Sequence, residues 1–120
     1  MQLELKSFAD VGIIDKERLA IRVLADVNIG SYVVLRSIKS DKGKPVSGTK
    51  DAYWFPDIEV KKGDMIVLYT KSGTSGKKAL AGGDGLAHFY YWSKKTPLWG
   101  EDKNNTAVLI CAESWTSKSP

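Results

Sequence analysis

Residues 51–70 decide the fold class of this chain, and they read DAYWFPDIEVKKGDMIVLYT. An aromatic strand end is followed by a Phe-Pro-Asp turn, a short extended piece, a Lys-Lys-Gly-Asp turn and an apolar strand. Proline presets the backbone for a turn, and glycine adopts the conformations that reverse the chain direction. Short strands separated by such turns are typical of antiparallel β proteins. This stretch therefore predicts an all-β domain.

The same pattern of short apolar runs between turn residues extends along the rest of the chain. Residues 2–6 and 18–29 alternate in polarity, which predicts strands with one buried face. Residues 31–38 begin with a nearly continuous apolar run, which predicts a central strand covered on both faces. Further strands are predicted at residues 86–93 and 106–114. In total we expect about eight or nine short, mostly antiparallel strands in a single immunoglobulin-like β-sandwich.

The length and composition of the chain limit the classes of protein to which it can belong. Its 120 residues, 42% of them hydrophobic, fit one domain over residues 1–120, with a core over about residues 2–115 and a frayed tail. Cys111 is the single cysteine, which excludes an internal disulfide framework and fits a reducing compartment. The acidic, alternating start is unlike a signal peptide, and no run approaches the roughly 20 apolar residues of a membrane helix. We therefore expect a soluble protein in the cytoplasm or elsewhere inside the cell, with no membrane partner.

The net charge of +4 comes from the middle of the chain, where residues 32–95 contain twelve Lys/Arg and six Asp/Glu. Lysines that lie at predicted turns and strand ends form a candidate contact for a polyanion such as nucleic acid. These candidates are Lys61, Lys62, Lys77, Lys78, Lys94 and Lys95. The alternative is a solvated rim that keeps sheet edges from pairing with other chains. Arginine occurs only three times, which argues against sequence-specific reading of DNA bases.

Aromatic residues fall into two clusters, one at residues 53–55 and one at residues 89–92. On a strand, alternate members of the second cluster point to opposite faces, so Tyr91 or Trp92 is a candidate for an exposed aromatic contact beside the lysines. Such a strip suits stacking on single-stranded nucleic acid or the anchoring of a protein partner. The alternative is that both clusters belong to the core.

Several of these segments together resemble the lamin-tail domain family. They are the Tyr-Trp-Phe-Pro-Asp run at residues 53–57, Val-Lys-Lys-Gly-Asp at residues 60–64, Leu-Tyr-Thr at residues 68–70, His-Phe-Tyr-Tyr-Trp at residues 88–92, Leu98-Trp99, and Asn-Thr-Ala-Val-Leu at residues 105–109. The resemblance covers roughly residues 19–112 and implies an all-β immunoglobulin-like sandwich. In nuclear lamins such domains are linked to protein and chromatin contacts, and similar bacterial domains accompany nucleases and other extracellular enzymes. The shared positions are aromatic and turn residues, so the resemblance implies no particular binding residue.

No set of residues in the sequence forms a recognisable catalytic, cofactor-binding or metal-binding motif. His88 is the only histidine and is interpreted as a hydrogen-bonded structural residue, while Cys111 is expected to be a small buried hydrophobe. The run Ser-Gly-Thr-Ser-Gly-Lys-Lys at residues 72–78 lacks the spacing of a P-loop. Residues 72–85 hold five glycines and are predicted to form a long mobile loop. The acids Asp84 and Glu101-Asp102 lack the spacing of a calcium loop and are interpreted as turn residues.

These observations favour a non-enzymatic interaction module that needs no cofactor. A protein partner is the leading expectation. The first alternative is weak, sequence-independent binding of nucleic acid through the six lysines with Tyr91 or Trp92. The second alternative is binding of a small ligand under the glycine-rich segment at residues 72–85. The sequence does not predict an oligomeric state.

Overall fold

The computed structural model describes residues 1–48, 51–100 and 104–120. Within these ranges the regular structure is β apart from one turn of 3₁₀ helix at Ile29–Ser31. The ten strands of the described residues are, in chain order, β1 Leu3–Ala9, β2 Arg18–Val23, β3 Val27–Asn28, β4 Tyr32–Ile38, β5 Asp51–Trp54, β6 Glu59–Val60, β7 Met65–Tyr69, β8 Gly76–Ala79, β9 Leu86–Tyr91 and β10 Asn105–Cys111. The all-β prediction is confirmed. The Glu101-Asp102 pair lies outside the described residues.

The strands form two main sheets and a small ribbon. The larger sheet has the order β1-β2-β7-β9-β8, the smaller has the order β10-β4-β5, and β3 pairs with β6. All pairings are antiparallel except that of β7 with β9, which is parallel. The ten strands of the described residues exceed the eight or nine expected from the sequence. The sequence pattern merges β3 with β2 and assigns β8 to a loop.

The core lies between the two main sheets. Alternate residues of β2 and β7 point into it from the larger sheet, and Tyr32 and Val34 of β4 point into it from the smaller one. Phe55, which follows β5, meets Tyr90 of β9 with ring centroids 5.6 Å apart in an edge-to-face arrangement. Each fully buried aliphatic or aromatic side chain contributes roughly 1.5–3 kcal/mol to folding. This two-layer packing explains why short strands with one apolar face suffice for a stable domain.

A buried carboxylate joins three segments at one end of the core. Glu17 has no exposed surface, and its Oε2 accepts a hydrogen bond of 2.8 Å from the amide of Gly12. Its Oε1 accepts bonds of 2.6 Å from the hydroxyl of Thr70 and 2.8 Å from the amide of Leu98. Because a buried charge is tolerated only when hydrogen bonds replace its hydration, these donors account for the position of Glu17. The carboxylate ties the β1–β2 connection to the end of β7 and to the segment before Trp99.

Residues 72–85 are not one long loop, so the sequence-based prediction is wrong for their central part. β8 occupies Gly76–Ala79 and pairs antiparallel with β9, and Lys77 is opposite His88. The reversal between the two strands contains Gly82, Gly83 and Gly85, which all have positive φ. All four β8 side chains are exposed, so the strand has no apolar pattern. The strand forms because its backbone pairs with β9.

Two further expectations about burial are corrected by the structure. Cys111 is exposed rather than buried, because it is the last residue of β10, at the edge of the smaller sheet. β4 is central as predicted, and Tyr32 and Val34 on its inner side are fully buried. On the other side Ser37 is buried, but Val33 and Leu35 are partly exposed. The smaller sheet therefore has an apolar face outside the core.

No helix in the described ranges is long and apolar enough to cross a membrane.

Candidate interaction surface

The outer face of the smaller sheet is apolar across all three strands. Residues paired directly on neighbouring strands project to the same side of a sheet, so the register defines two cross-strand rows on this face. The rows are Ile110–Val33–Trp54 and Val108–Leu35–Ala52. None of the six side chains is charged. Since monomeric proteins rarely expose large contiguous apolar patches without a function, this face is a candidate interaction surface.

Two tryptophans give this surface its most exposed part. Trp54 is 53% exposed and Trp115 is 60% exposed, and their rings meet edge to face with centroids 4.9 Å apart. The indole nitrogen of Trp54 donates a hydrogen bond of 2.6 Å to the carbonyl of Gly30, which fixes the orientation of its ring. Together with Val33 and Ala112 the two rings line a cleft of about 180 Å³. We call the two rows and Trp115 the tryptophan face.

The six lysines of the polyanion hypothesis do not form one surface. Lys61 and Lys62 precede the start of β7, whereas the amide of Lys94 bonds to the carbonyl of Thr70, beyond the other end of that strand. At about 3.3 Å per strand residue these two groups are roughly 20 Å apart. Lys61 is 3.6 Å from Asp26, and Lys94 is 2.9 Å from Asp51. The structure therefore places the lysines in separate pairs, two members of which already have acidic partners.

Lys77 and Lys78 form the third pair and lie on the edge strand β8. Lys77 is opposite His88 and Lys78 is opposite Ala87, so the two side chains project to opposite sides of the larger sheet. Both are exposed. They therefore do not act on a ligand as one bidentate group, and only Lys77 shares a side with His88.

The two aromatic candidates, Tyr91 at the end of β9 and Trp92 directly after it, have different positions. Trp92 is buried at 9% exposure, with Tyr53 and Trp99 at centroid distances of 5.9 and 6.1 Å. The expectation of an exposed contact is therefore wrong for Trp92, because its side of the strand faces the core. Tyr91 points outward, is half-buried, and stacks on Tyr69 with centroids 5.3 Å apart and an angle of 11° between the rings.

Basic groups surround the Tyr69–Tyr91 stack. The ammonium of Lys71 lies 5.2 Å from the centre of the Tyr69 ring, and the guanidinium of Arg18 lies 5.9 Å from it. Both distances are typical of cation–π contacts. Arg18 also bonds Asp10 at 2.7 Å, which neutralises part of its charge. We call Tyr69, Tyr91, Lys71 and Arg18 the tyrosine face. The sequence pattern identified only Tyr91 among these residues, because β7 and β9 are distant in the chain.

His88 is hydrogen-bonded and buried, as expected, but its partner was not predicted. Its Nε2 lies 2.8 Å from Oδ2 of Asp64, and both side chains are only 4% exposed. Burial alone would raise the pKa of Asp64, but hydrogen bonds from His88 and from the amides of Leu86 and Lys61 outweigh it, so the pKa is lowered. The sequence assigned Asp64 to a turn, and its amide does close that turn by donating to the carbonyl of Lys61 at 2.9 Å. Its carboxylate also accepts the amide of Leu86 at 3.0 Å, which joins the Gly63 turn to the start of β9.

The chain matches no known protein-family model and no curated protein. Within the described residues, no three His, Cys, Asp or Glu side chains cluster as a metal site would require.

Proposed function

We propose that this protein is a non-catalytic interaction module that binds a protein partner through the tryptophan face. The supporting observation is the exposure of Trp54 and Trp115 by more than half, in edge-to-face contact, at one end of an uncharged apolar sheet face. Tryptophan is enriched among the residues that dominate binding energy in protein interfaces. Water contact with such a face is unfavourable, and a partner with apolar side chains relieves it.

The chemistry of the tryptophan face favours a protein over a polyanion. Its two rows, Ile110–Val33–Trp54 and Val108–Leu35–Ala52, carry no cation, whereas phosphate binding depends on lysine and arginine. The cleft of about 180 Å³ beside Trp54 and Trp115 is large enough for a side chain of a partner. A partner that presents aliphatic or aromatic side chains therefore fits this surface best.

We further propose that the sandwich is of the immunoglobulin-like type and resembles the lamin-tail domain. The support is the aromatic segment at residues 53–55, which contributes Phe55 to the core and Trp54 to the surface. In that family the domain serves protein and chromatin contacts, which agrees with an interaction role. We propose that the partner is met inside the cell, because a chain whose single cysteine is Cys111 fits a reducing compartment.

Quantitative protein capture with matched variants tests this function. The baits are the unmodified protein, the double variant Trp54→Ser/Trp115→Ser, and Ile13→Ser. Ile13 is also exposed but lies in the connection between β1 and β2, so it controls for loss of surface hydrophobicity. We expect a protein that the unmodified bait and the control bait both capture. The double variant should capture at least about tenfold less of it, which corresponds to a loss of binding free energy of about 1.4 kcal/mol or more. Identical sets of captured proteins for all three baits would contradict the proposal.

The tyrosine face favours a second candidate function, weak binding of single-stranded nucleic acid. Its supporting observation is the Tyr69–Tyr91 stack beside Lys71, since aromatic rings next to cations hold unpaired bases without regard to sequence. The few cations on this face make it the weaker proposal. A salt-dependent oligonucleotide titration, described in the Discussion, distinguishes it from the first.

A further inference from the structure

A cavity of the described residues lies between the edge strand β8 and the turn after β5. It measures about 390 Å³ and is lined by Pro56, Ile58, Ser75, Gly76, Lys77, His88 and Tyr90. Most of its surface is apolar, and Lys77 is the only lining side chain with a permanent charge. Pockets of this size hold small organic ligands, and a dry cavity of about 150 Å³ already accepts benzene. The space is sufficient for one substituted ring.

Asp64 determines what His88 offers to this cavity. An ionised carboxylate only accepts hydrogen bonds, so the contact of 2.8 Å with Asp64 assigns the proton of a neutral imidazole to Nε2. The other ring nitrogen, Nδ1, is an acceptor in that neutral form and a donor in the imidazolium form. Among the described residues, the imidazole bonds only through Nε2, to Asp64. His88 lines the cavity, and a ligand hydroxyl, which both donates and accepts hydrogen bonds, can bond to Nδ1 in either form.

Lys77 supplies the second polar contact. Its pairing with His88 across β8 and β9 directs its side chain to the cavity side of the sheet. Its ammonium is exposed and bonds to no acid within the described residues. A carboxylate on the ligand fits this charge, because Lys77 is the one permanently charged side chain among the lining residues. The acid Asp64 is not among them, so it does not repel such a group at the cavity wall. The apolar walls formed by Pro56, Ile58 and the ring of Tyr90 fit the body of the ligand.

We propose that this cavity binds a small aromatic carboxylate that also carries a hydroxyl group. The ring packs between Ile58 and Tyr90, the carboxylate meets Lys77, and the hydroxyl forms a hydrogen bond with Nδ1 of His88. This site lies on a different part of the molecule from the tryptophan face, so it does not depend on the protein-binding proposal. It also differs from a phosphate site, because a single lysine and apolar walls do not match a multiply charged group.

Calorimetric titration with 4-hydroxyphenylacetate tests the site, and Lys78→Ala provides the matched control. We expect saturable binding that Lys77→Ala weakens about tenfold or more, whereas Lys78→Ala, with the same loss of charge on the opposite side of the sheet, changes the affinity less than twofold. No saturable binding up to about 10 mM ligand, or equal losses for the two lysine variants, would overturn the proposal.

The role of His88 is tested by changing the ligand, because removal of His88 would leave Asp64 without its partner and endanger the fold. Phenylacetate lacks the hydroxyl and 2-(4-hydroxyphenyl)ethanol lacks the carboxylate. Each should bind about tenfold more weakly than 4-hydroxyphenylacetate, the usual effect of losing one hydrogen bond to a charged or buried group. The imidazole ¹⁵N signal of Nδ1 should move with 4-hydroxyphenylacetate and not with phenylacetate. Equal affinity for all three compounds would contradict the proposed contacts.

Discussion

The hydroxyl of Thr70 donates a hydrogen bond of 2.6 Å to the carboxylate of Glu17, 53 positions earlier in the chain. Both residues are buried, and the same carboxylate oxygen accepts the amide of Leu98 at 2.8 Å. The bond connects the start of β2 with the end of β7. Glu17 is therefore a structural residue, although a buried carboxylate is often taken as a sign of catalysis.

Replacement of Glu17 by Gln should destabilise the protein by about 1–3 kcal/mol. The side chain of Gln has an NH₂ group where Glu17 has a carboxylate oxygen. This group would face a hydroxyl or amide that now donates to Glu17, so at least one contact becomes repulsive. Asp15→Asn, which removes an exposed acid two positions earlier, is the control and should change stability by less than about 0.5 kcal/mol. Urea unfolding of the three proteins measures the difference. Equal stabilities would show that the buried bonds of Glu17 do not support the fold.

The lowered pKa of Asp64 predicts a loss of stability in acid. Hydrogen bonds from His88, Leu86 and Lys61 favour the ionised form in the folded state. The stabilisation is present above the ordinary pKa of 3.8 and is lost as the pH falls through the lower pKa of the native carboxyl. The unmodified protein should lose about 1–3 kcal/mol from this group in strong acid. Urea unfolding between neutral pH and strong acid measures this loss.

Asp64→Asn should be less stable at neutral pH and should show a smaller change with pH. Asp57→Asn, at an exposed acid of the preceding turn, should retain the pH dependence of the unmodified protein. A pH profile that Asp64→Asn leaves unaltered would contradict the assignment.

The contact between Trp54 and Trp115 should be measurable in a double-mutant cycle. Edge-to-face aromatic pairs contribute about 0.5–1.5 kcal/mol beyond burial. We therefore expect the variants Trp54→Ser and Trp115→Ser to remain folded and to show a coupling energy in this range. Urea unfolding of the unmodified, single and double variants gives the cycle. A coupling of zero would mean that the residues after β10 do not pack on the tryptophan face.

Nucleic-acid binding should be weak and should involve the tyrosine face rather than the predicted lysine pairs. Anisotropy titration of a labelled single-stranded oligonucleotide should give a dissociation constant of about 100 μM or weaker at physiological salt, and the affinity should fall as salt rises. Tyr91→Ser should weaken this binding, because a stacking platform is lost. Lys61→Gln/Lys62→Gln, at the far end of β7, should have the smaller effect. Tight binding that depends on Lys61 and Lys62 would contradict this ranking and favour the original lysine hypothesis.

The sequence predicted the all-β class because local signals determine it. Turn residues such as Pro56 and Gly63 interrupt runs that alternate in polarity, and each strand of the core carries its own pattern. β8 lacked such a pattern. Its residues read Gly-Lys-Lys-Ala, and the strand forms by backbone pairing with β9. No local rule separates this segment from a glycine-rich loop.

The candidate sites were harder to predict because they depend on pairs of residues that are distant in the chain. Trp54 and Trp115 are separated by 61 positions, and no local pattern links them. The side of β9 that faces the core was undetermined in the sequence, so Trp92 and Tyr91 could not be distinguished. The burial of Asp64 could not be predicted either, because an exposed acid and a buried acid after the same turn have the same local sequence. Alternation along a strand shows that two faces exist, but the opposite sheet decides which one is covered.

Heteronuclear NMR of the four tryptophan side chains is the most direct test of protein binding through the tryptophan face. The protein carries its own controls, because Trp54 and Trp115 are exposed whereas Trp92 and Trp99 are buried. When the partner identified by protein capture with the variant baits is added, the indole N–H signals of Trp54 and Trp115 should shift or broaden. The signals of Trp92 and Trp99 should remain in place. Shifts confined to other surfaces, with Trp54 and Trp115 unchanged, would contradict the proposed function.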